Sequence, residues 1–251
     1  MRKIIFNGKD VKLDSGVLFG NGVFETILVK DSPIFIEEHV NRLNNSIRAL
    51  KLGEPISLVD VNKFIEKNNI NNKALKLIVT EENLIYSTRD IKYKKIHYIK
   101  GFTVRFSKVL RNSTSRIVNF KTLNYLENII EYELCQNDGF NEAIFLNEKG
   151  NISEGCTTNI FIIKDGRIYT PTVNCGLLPG IVRQWVIKNF DVIEKEITKD
   201  EVLNSDEVFL TNSLVGVIKV SKIENKLFSS RLINEIKKQY DKAINGGEWY
   251  E

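Results

Sequence analysis

Metal and disulfide chemistry have little to work with in this chain. It has three cysteines, Cys135, Cys156 and Cys175, far apart and with no CxxC pair, and two histidines, His39 and His97. An odd, scattered set argues against a disulfide framework and supplies too few ligands for a zinc site, so no metal is expected. Free thiols suit a reducing cytoplasm. No apolar run nears the ~20 residues that cross a bilayer. No charged start with an apolar centre precedes the first predicted strand. The expectation is a cytoplasmic protein with no membrane partner. Blocks of five or six like charges and RNA-binding aromatic motifs are also missing. The net charge of +4 is spread over both signs, so it mildly favours small anions and gives no argument for nucleic acid. Lys92-Tyr93-Lys94-Lys95 reads as a solvated loop. Gly20-Asn21-Gly22 lacks the Lys-Ser/Thr of a phosphate-binding P-loop. There is no internal repeat.

What is present suits an ordinary globular protein. The 251 residues, 42% apolar and 27% charged, can bury one large core or two modest ones. Ile4-Ile5-Phe6 before Asn7-Gly8 reads as a strand entering a hairpin-type turn. Val23–Val29 is a β-rich run closed by Pro33. Val40, Leu43, Ile47 and Leu50 recur at helical spacing, and Gly53 and Pro55 stop that helix. A second helix covers Leu58 to Lys67, followed by strands at Ala74–Val79, Leu84–Ser87 and Phe102–Phe106. The polar segment Ser107 to Arg116 reads as a connection. Beyond it come a strand Ile117–Phe120 and a helix with Leu123, Leu126, Ile130 and Leu134 on one face. Strands Glu142–Leu146 and Ile160–Lys164 follow, and Asp165-Gly166 is a hairpin turn. Pro179-Gly180 precedes a helix from Ile181 to Asn189. Strands at Val192–Glu196, Val208–Thr211 and Val217–Val220 lead to a last helix, Arg231 to Ala243. The tail from Gly246 is expected to be loose. The pattern is α/β (α+β), with a small domain over 1–106, a connection over 107–116 and a larger domain over 117–251.

A few residues stand out chemically. Lys121 closes an apolar strand and opens onto a helix, where α/β proteins build sites. An amine desolvated there can act as a nucleophile. Tyr125, four residues on, would share its helix face. Arg42 lies four residues after Glu38, so a surface ion pair is the plain reading and a phosphate clamp the functional one. Glu154 follows a hairpin; facing a pyridine nitrogen it would hold that nitrogen protonated. The loop Leu177 to Gly180 enters a helix whose first N–H groups, at Ile181 and Val182, suit phosphate. Thr211-Asn212-Ser213 follows a strand and offers further donors.

Taken together these pieces resemble the class IV, branched-chain-like family of pyridoxal 5′-phosphate (PLP) enzymes. The blocks occur in family order: Phe19-Gly20-Asn21-Gly22-Val23-Phe24-Glu25-Thr26, His39-Val40-Asn41-Arg42-Leu43, Lys121-Thr122-Leu123-Asn124-Tyr125-Leu126-Glu127-Asn128, Asn141-Glu142-Ala143, Glu154-Gly155, Asn159, Leu178-Pro179-Gly180-Ile181 and Phe209-Leu210-Thr211-Asn212-Ser213. They span most of the chain. The resemblance implies two α/β domains with PLP between them, in a homodimer. It implies that Lys121 carries the cofactor and shuttles a proton, and that Glu154 meets the ring nitrogen. Tyr125 would lie near the ring hydroxyl, and Leu178 would pack on the ring. Arg42, the Ile181 and Val182 backbone and Ser213 would hold the phosphate.

Three reactions of the family compete: branched-chain amino acid transfer, D-amino acid transfer, and elimination of pyruvate from 4-amino-4-deoxychorismate to give the folate precursor 4-aminobenzoate. The reading leans to the lyase. Thr26 stands where the lyases carry a threonine linked to protonation of the leaving group, Thr211-Asn212-Ser213-Leu214 is similar to their Asn-x-Leu segment, and the chain is short. Against it, Thr80-Glu81-Glu82-Asn83 replaces the arginine- and glycine-rich stretch of many lyases. Arg89 and Asn212 are the candidate substrate-binding residues. The alternative is an amino acid aminotransferase using 2-oxoglutarate.

Overall fold

The computed structural model describes residues 1–245. The expected loose tail from Gly246 lies outside the described residues. The fold is mixed α+β, in two compact units: Met1–Lys92 with Phe120–Tyr125, and Tyr93–Asn119 with Leu126–Glu251.

The first unit runs β1 (Lys3–Phe6), α1 (Ser15–Phe19), β2 (Val23–Val29), α2 (Ile36–Ala49), α3 (Leu58–Lys67), β3 (Lys73–Val79) and β4 (Asn83–Arg89). Its four-stranded sheet has the order β1-β4-β3-β2. The helical spacing in α2 holds: Val40, Leu43 and Ile47 pack with Val23, Ile27, Val29, Leu75 and Leu77. α3 begins where Ser57 accepts a hydrogen bond from the Asp60 N–H, an ordinary N-cap. The hairpin expected at Asn7-Gly8 does not form. Asn7 does turn the chain, with φ 47°, but β1 pairs in parallel with β4. In antiparallel pairs, residues directly opposite share a face. Phe24 and Thr26 therefore lie with Ile78 and Lys76 on the face away from α2, whereas Glu25 points to the helix side.

The second unit contains α4 (Lys95–Lys100), β5 (Phe102–Arg111), α5 (Leu126–Asn137), β6 (Glu142–Asn147), β7 (Ile152–Gly155), β8 (Asn159–Lys164), β9 (Arg167–Pro171), α6 (Ile181–Asn189), β10 (Val192–Lys195), α7 (Lys199–Leu203), β11 (Glu207–Asn212), β12 (Gly216–Ile223), β13 (Lys226–Leu227) and α8 (Arg231–Ile244). Eight strands run in the order β10-β9-β8-β11-β12-β5-β6-β7, with β13 on β12. The Asp165-Gly166 hairpin forms as read, with both residues at positive φ. The α8 N-terminus is capped by Glu207, whose carboxylate accepts from the Leu232 and Ile233 N–H groups.

Three expectations are corrected. The break between units falls after Lys92, not at 107–116. Residues 107–111 continue β5, with a register shift between Phe106 and Leu110 against β6. Residues 117–120 are turns, not a strand: the Val118 N–H bonds back to Ser115, and the Asn119 side chain donates to the Leu177 carbonyl at 2.7 Å. In α5 the leucine and isoleucine face is exposed, with Leu126 at 67%, Ile130 at 48% and Leu134 at 50%. The helix buries Asn128, Glu131 and Cys135 instead. Asn128 donates to the Cys156 carbonyl and Glu131 accepts from Arg105, so hydrogen bonds, beside the packing of Cys135 and Tyr132 with Ala143 and Phe145, fix its inner side.

Candidate active site

The expected site residues divide between the units. In the first, Lys121 is placed by backbone pairing. Its carbonyl accepts the Phe24 N–H at 2.9 Å, and the Leu123 N–H donates to Gly22. With Thr122 opposite Val23, Lys121 sits opposite Phe24 and shares its face. Its ammonium lies 4.6 Å from the Phe24 ring centre and 5.1 Å from that of Tyr125. Tyr125 meets Phe24 edge to face. The expected shared helix face is corrected, since α5 begins only at Leu126 and Phe24 is what brings lysine and tyrosine together.

Behind Phe24, on the helix side, lies a charge cluster that the sequence reading did not single out. Glu25 is 1% exposed. It accepts from Arg42 Nε and Nη2, both at 2.7 Å, and its Oε2 lies 2.7 Å from His39 Nδ1. Burial pushes the Glu25 carboxyl up, but Arg42 and His39 outweigh it and hold it at about 2. His39 is held below its ordinary value, by burial first; Glu25 opposes that, and the Arg42 and Lys121 charges add to it. Arg42 is thus oriented by a bidentate fork. The signal in the sequence was weak: Glu25 occupies one strand position, and only the fold brings α2 behind it.

In the second unit Glu154 lies on β7. Its Oε2 accepts from the Leu178 N–H at 3.0 Å and from Asn159 Nδ2 at 3.4 Å. Its Oε1 is 3.8 Å from Arg111 Nη2. Asn159 also donates to the Leu178 carbonyl at 2.8 Å, so one amide ties carboxylate and loop together. Gly180 must be glycine here, because a Cβ would stand 2.1 Å from Asn159 Oδ1. Arg111, overlooked in the sequence, stacks on Phe145 at 4.1 Å and bonds Asn128. A second carboxylate, Glu142, accepts from the N–H groups of Ala143, Cys156 and Thr157 and from the Thr157 and Thr158 hydroxyls. Burial pushes Glu142 up, opposed by those bonds. It fixes the turn that joins Glu154 to Asn159.

The α6 N-terminus, at Gly180, has no side-chain cap, which leaves the first-turn N–H groups of Ile181 and Val182 suited to an anion. α6 packs against β11. There the Thr211 hydroxyl is buried with no hydrogen-bond partner among the described residues. Leu178 and Ser213 are half-buried. Asn212 is largely committed to its own turn: its Oδ1 accepts from the Leu214 and Val215 N–H groups, and its Nδ2 donates to the Thr157 carbonyl. A substrate-binding role has only its second amide hydrogen to use. Arg89, the other candidate, is exposed at the end of β4.

Residues 22–223 match the family model for class IV amino-transferases, and the chain belongs to that PLP-dependent family. It is 28% identical over 242 residues to the aminodeoxychorismate lyase of Bacillus subtilis, covering 87% of this chain and 83% of that one. It is also 28% identical over 282 residues to the D-alanine aminotransferase of Bacillus licheniformis, covering 96% and 95%. The 4-amino-4-deoxychorismate lyase structure from Pseudomonas aeruginosa superposes with a TM-score of 0.84 at 21% identity, over 92% of this chain and 94% of that one, and shares the fold. No helix among the described residues is long and apolar enough to cross a membrane, and no cluster of metal-ligating side chains occurs among them.

Proposed function

We propose that this chain is a PLP-dependent 4-amino-4-deoxychorismate lyase that carries its cofactor on Lys121. The residues fit the group. Lys121 rests on Phe24 and Tyr125, Glu154 is fixed by Leu178 and Asn159, and the orphaned Thr211 hydroxyl lies on the strand that α6 packs against. When bound, PLP supplies an electron sink for the carbon bearing the substrate amine.

The chain's own groups do the rest. The Glu154 carboxylate would hold the ring-nitrogen proton, with Arg111 beside it keeping the carboxylate charged. Arg42, the N–H groups of Ile181 and Val182, and Ser213 would bind the phosphate. Leu178 would pack on the ring and Tyr125 would hydrogen-bond near its hydroxyl. The Lys121 amine would take the proton from the carbon bearing the substrate amine and, in the lyase reading, pass one on toward the leaving group instead of returning it to that carbon.

The observation that carries the lyase reading is the register of β2, which puts Thr26 on the face that Phe24 and Lys121 share. From there its hydroxyl would hand a proton to the departing enolpyruvate and recover the one that Lys121 took from the substrate, so that pyruvate leaves while the ring becomes aromatic. The amino acid aminotransferase reading is favoured by the equal identity to a D-alanine aminotransferase. The test is to mix PLP-loaded protein with 4-amino-4-deoxychorismate and assay 4-aminobenzoate and pyruvate together. Both products at catalytic turnover support the lyase. Neither product, with amino acids converting the cofactor to its amine form, supports the transferase.

Thr26→Val is expected to lower elimination about 10²-fold, the usual scale of one general acid. Exchange of the substrate proton with deuterium from solvent should stay within about threefold, because Lys121 is untouched. Equal loss in both steps would remove the role given to Thr26.

The chain is further proposed to pair with a second copy of itself through α5, whose Leu126, Ile129, Ile130 and Leu134 face outward. Contiguous exposed apolar patches mark interaction sites. Ile130→Glu combined with Leu134→Glu should convert a dimer to a single chain near 28.9 kDa by light scattering. A wild-type protein that already runs as one chain would end this proposal.

A further inference from the structure

Glu142 on β6 is wholly buried, yet none of the donors that hold it is charged. Its Oε1 accepts from the N–H groups of Ala143 and Cys156, and its Oε2 from the Thr157 N–H and the Thr157 and Thr158 hydroxyls. All but Ala143 belong to the turn at residues 156–158, between β7 and β8. That turn closes tightly on the carboxylate. The Gly155 N–H donates to the Thr158 carbonyl at 2.7 Å. A Cβ on Gly155 would stand 2.3 Å from Thr158 Oγ1 and 3.1 Å from Glu142 Cδ.

Two lines of hydrogen bonds leave this turn. One leads to Glu154. The Cys156 carbonyl accepts from Asn128 Nδ2 at 2.8 Å, Asn128 Oδ1 accepts from Arg111 Nη1 at 3.3 Å, and Arg111 Nη2 lies 3.8 Å from Glu154 Oε1. Asn159, the residue after the turn, donates to Glu154 Oε2 and to the Leu178 carbonyl. The other line leads to the connection between β11 and β12. The Thr157 carbonyl accepts from Asn212 Nδ2 at 3.2 Å, and Asn212 Oδ1 accepts from the Leu214 and Val215 N–H groups at 2.9 and 2.7 Å, which brackets Ser213.

A leucine or methionine would fill the Glu142 position with no polar group to desolvate. Burial pushes the Glu142 carboxyl up, and the Thr157 hydroxyl leads the bonds that oppose it. What a carboxylate adds is a fixed place for residues 156–158, where both lines begin. We propose that Glu142 is a positioning residue for both ends of the cofactor: through one turn it sets Glu154 for the ring nitrogen and Ser213 for the phosphate. This rests on the reading of Glu154 and Ser213 as PLP contacts.

The test compares wild type with Glu142→Gln. Whichever way the amide lies, its NH₂ meets N–H groups that the carboxylate accepted, those of Ala143 and Cys156 or that of Thr157. In the cofactor-free full chain, amide exchange followed by NMR should quicken about tenfold at Leu178, Leu214 and Val215, the scale of one lost hydrogen bond. Leu232 and Ile233, held by Glu207, should exchange as in wild type. Affinity for pyridoxal, which lacks the phosphate, should fall about tenfold and affinity for PLP about a hundredfold, because both ends are loosened. Exchange that rises by one factor at all these amides, or at none, overturns the proposal. So does an equal loss for pyridoxal and PLP, which would leave the phosphate end untouched. If Glu142→Gln does not fold, Thr157→Val removes its 2.7 Å donor and must show the same selective exchange, with Thr157→Ser restoring the wild-type pattern; wild-type exchange in Thr157→Val overturns the proposal. The two readings fail separately. Selective exchange without covalent capture of PLP on Lys121 overturns the cofactor assignment and leaves the role of Glu142 in placing the two residues. Uniform exchange with capture intact overturns the positioning alone.

Discussion

Replacement of Lys121 by alanine is expected to abolish covalent capture of PLP and to cut turnover on the order of 10⁴-fold or more, while leaving the protein folded. The two halves of this expectation have different physical origins. The fold uses the Lys121 carbonyl, which accepts the Phe24 N–H and survives in alanine. The side chain contributes contacts with the Phe24 and Tyr125 rings, each worth about 0.5–1 kcal/mol at partly exposed sites. The chemistry uses the amine, and Lys76 cannot replace it, because Lys76 is fixed to another strand. Borohydride fixation followed by peptide mass mapping checks the first half: wild type should be labelled on residue 121 and the variant nowhere. The variant also has a signature that does not depend on cofactor. The Lys121 charge is one of the influences that hold His39 low, so its removal should let the His39 titration move up in the cofactor-free protein. Label on a different lysine, or turnover within tenfold of wild type, would overturn the assignment.

Local signals in the sequence carried most of the elements. The helical repeat of Val40, Leu43 and Ile47, the Asp165-Gly166 turn and Pro179-Gly180 at a helix start each encode their geometry within a few residues, and each appears as read. Where the reading failed, the deciding contact was distant. Residues 117–120 have strand composition, yet Asn119 is drawn to Leu177, 58 positions away. The α5 face looked like core because it is apolar, but Asn128 and Glu131 claim the inside through hydrogen bonds. The same holds for the site. Lys121 and Glu154 stood out as candidates because their motifs are contiguous. Glu25 and Arg111 did not, since each acts through a partner that the chain alone does not place beside it.

The second large effect concerns Glu25. Glu25→Gln keeps the shape of the side chain but removes the charge that balances Arg42 in a site only 1% exposed. It also turns an amide N–H₂ toward donors on Arg42 and His39. Breaking one partner of a buried pair typically costs 3–5 kcal/mol, so a loss of about 4 kcal/mol is expected. For a chain of this size that corresponds to a fall in Tm of about 10 °C. The pH dependence gives an independent check. Glu25 is held at about 2 against an ordinary 4.5. A carboxyl depressed on folding stabilises fully above its unfolded value and loses that contribution as pH falls through the folded one. Wild type should therefore lose stability between about 4.5 and 2 from this group. His39, also depressed, adds a limb that begins below 6.5, where the unfolded chain takes up a proton that the folded one resists. In Glu25→Gln the limb between 4.5 and 2 should be shallower, while the His39 limb persists, because the carboxylate that favoured its protonated form is gone. Thermal melts at closely spaced pH values decide it. Parallel acid limbs in the two proteins would mean that the Arg42 and His39 contacts do not hold Glu25 ionised. Parallel limbs with an unchanged Tm would also remove the cluster from any part in fixing Arg42 for an anion.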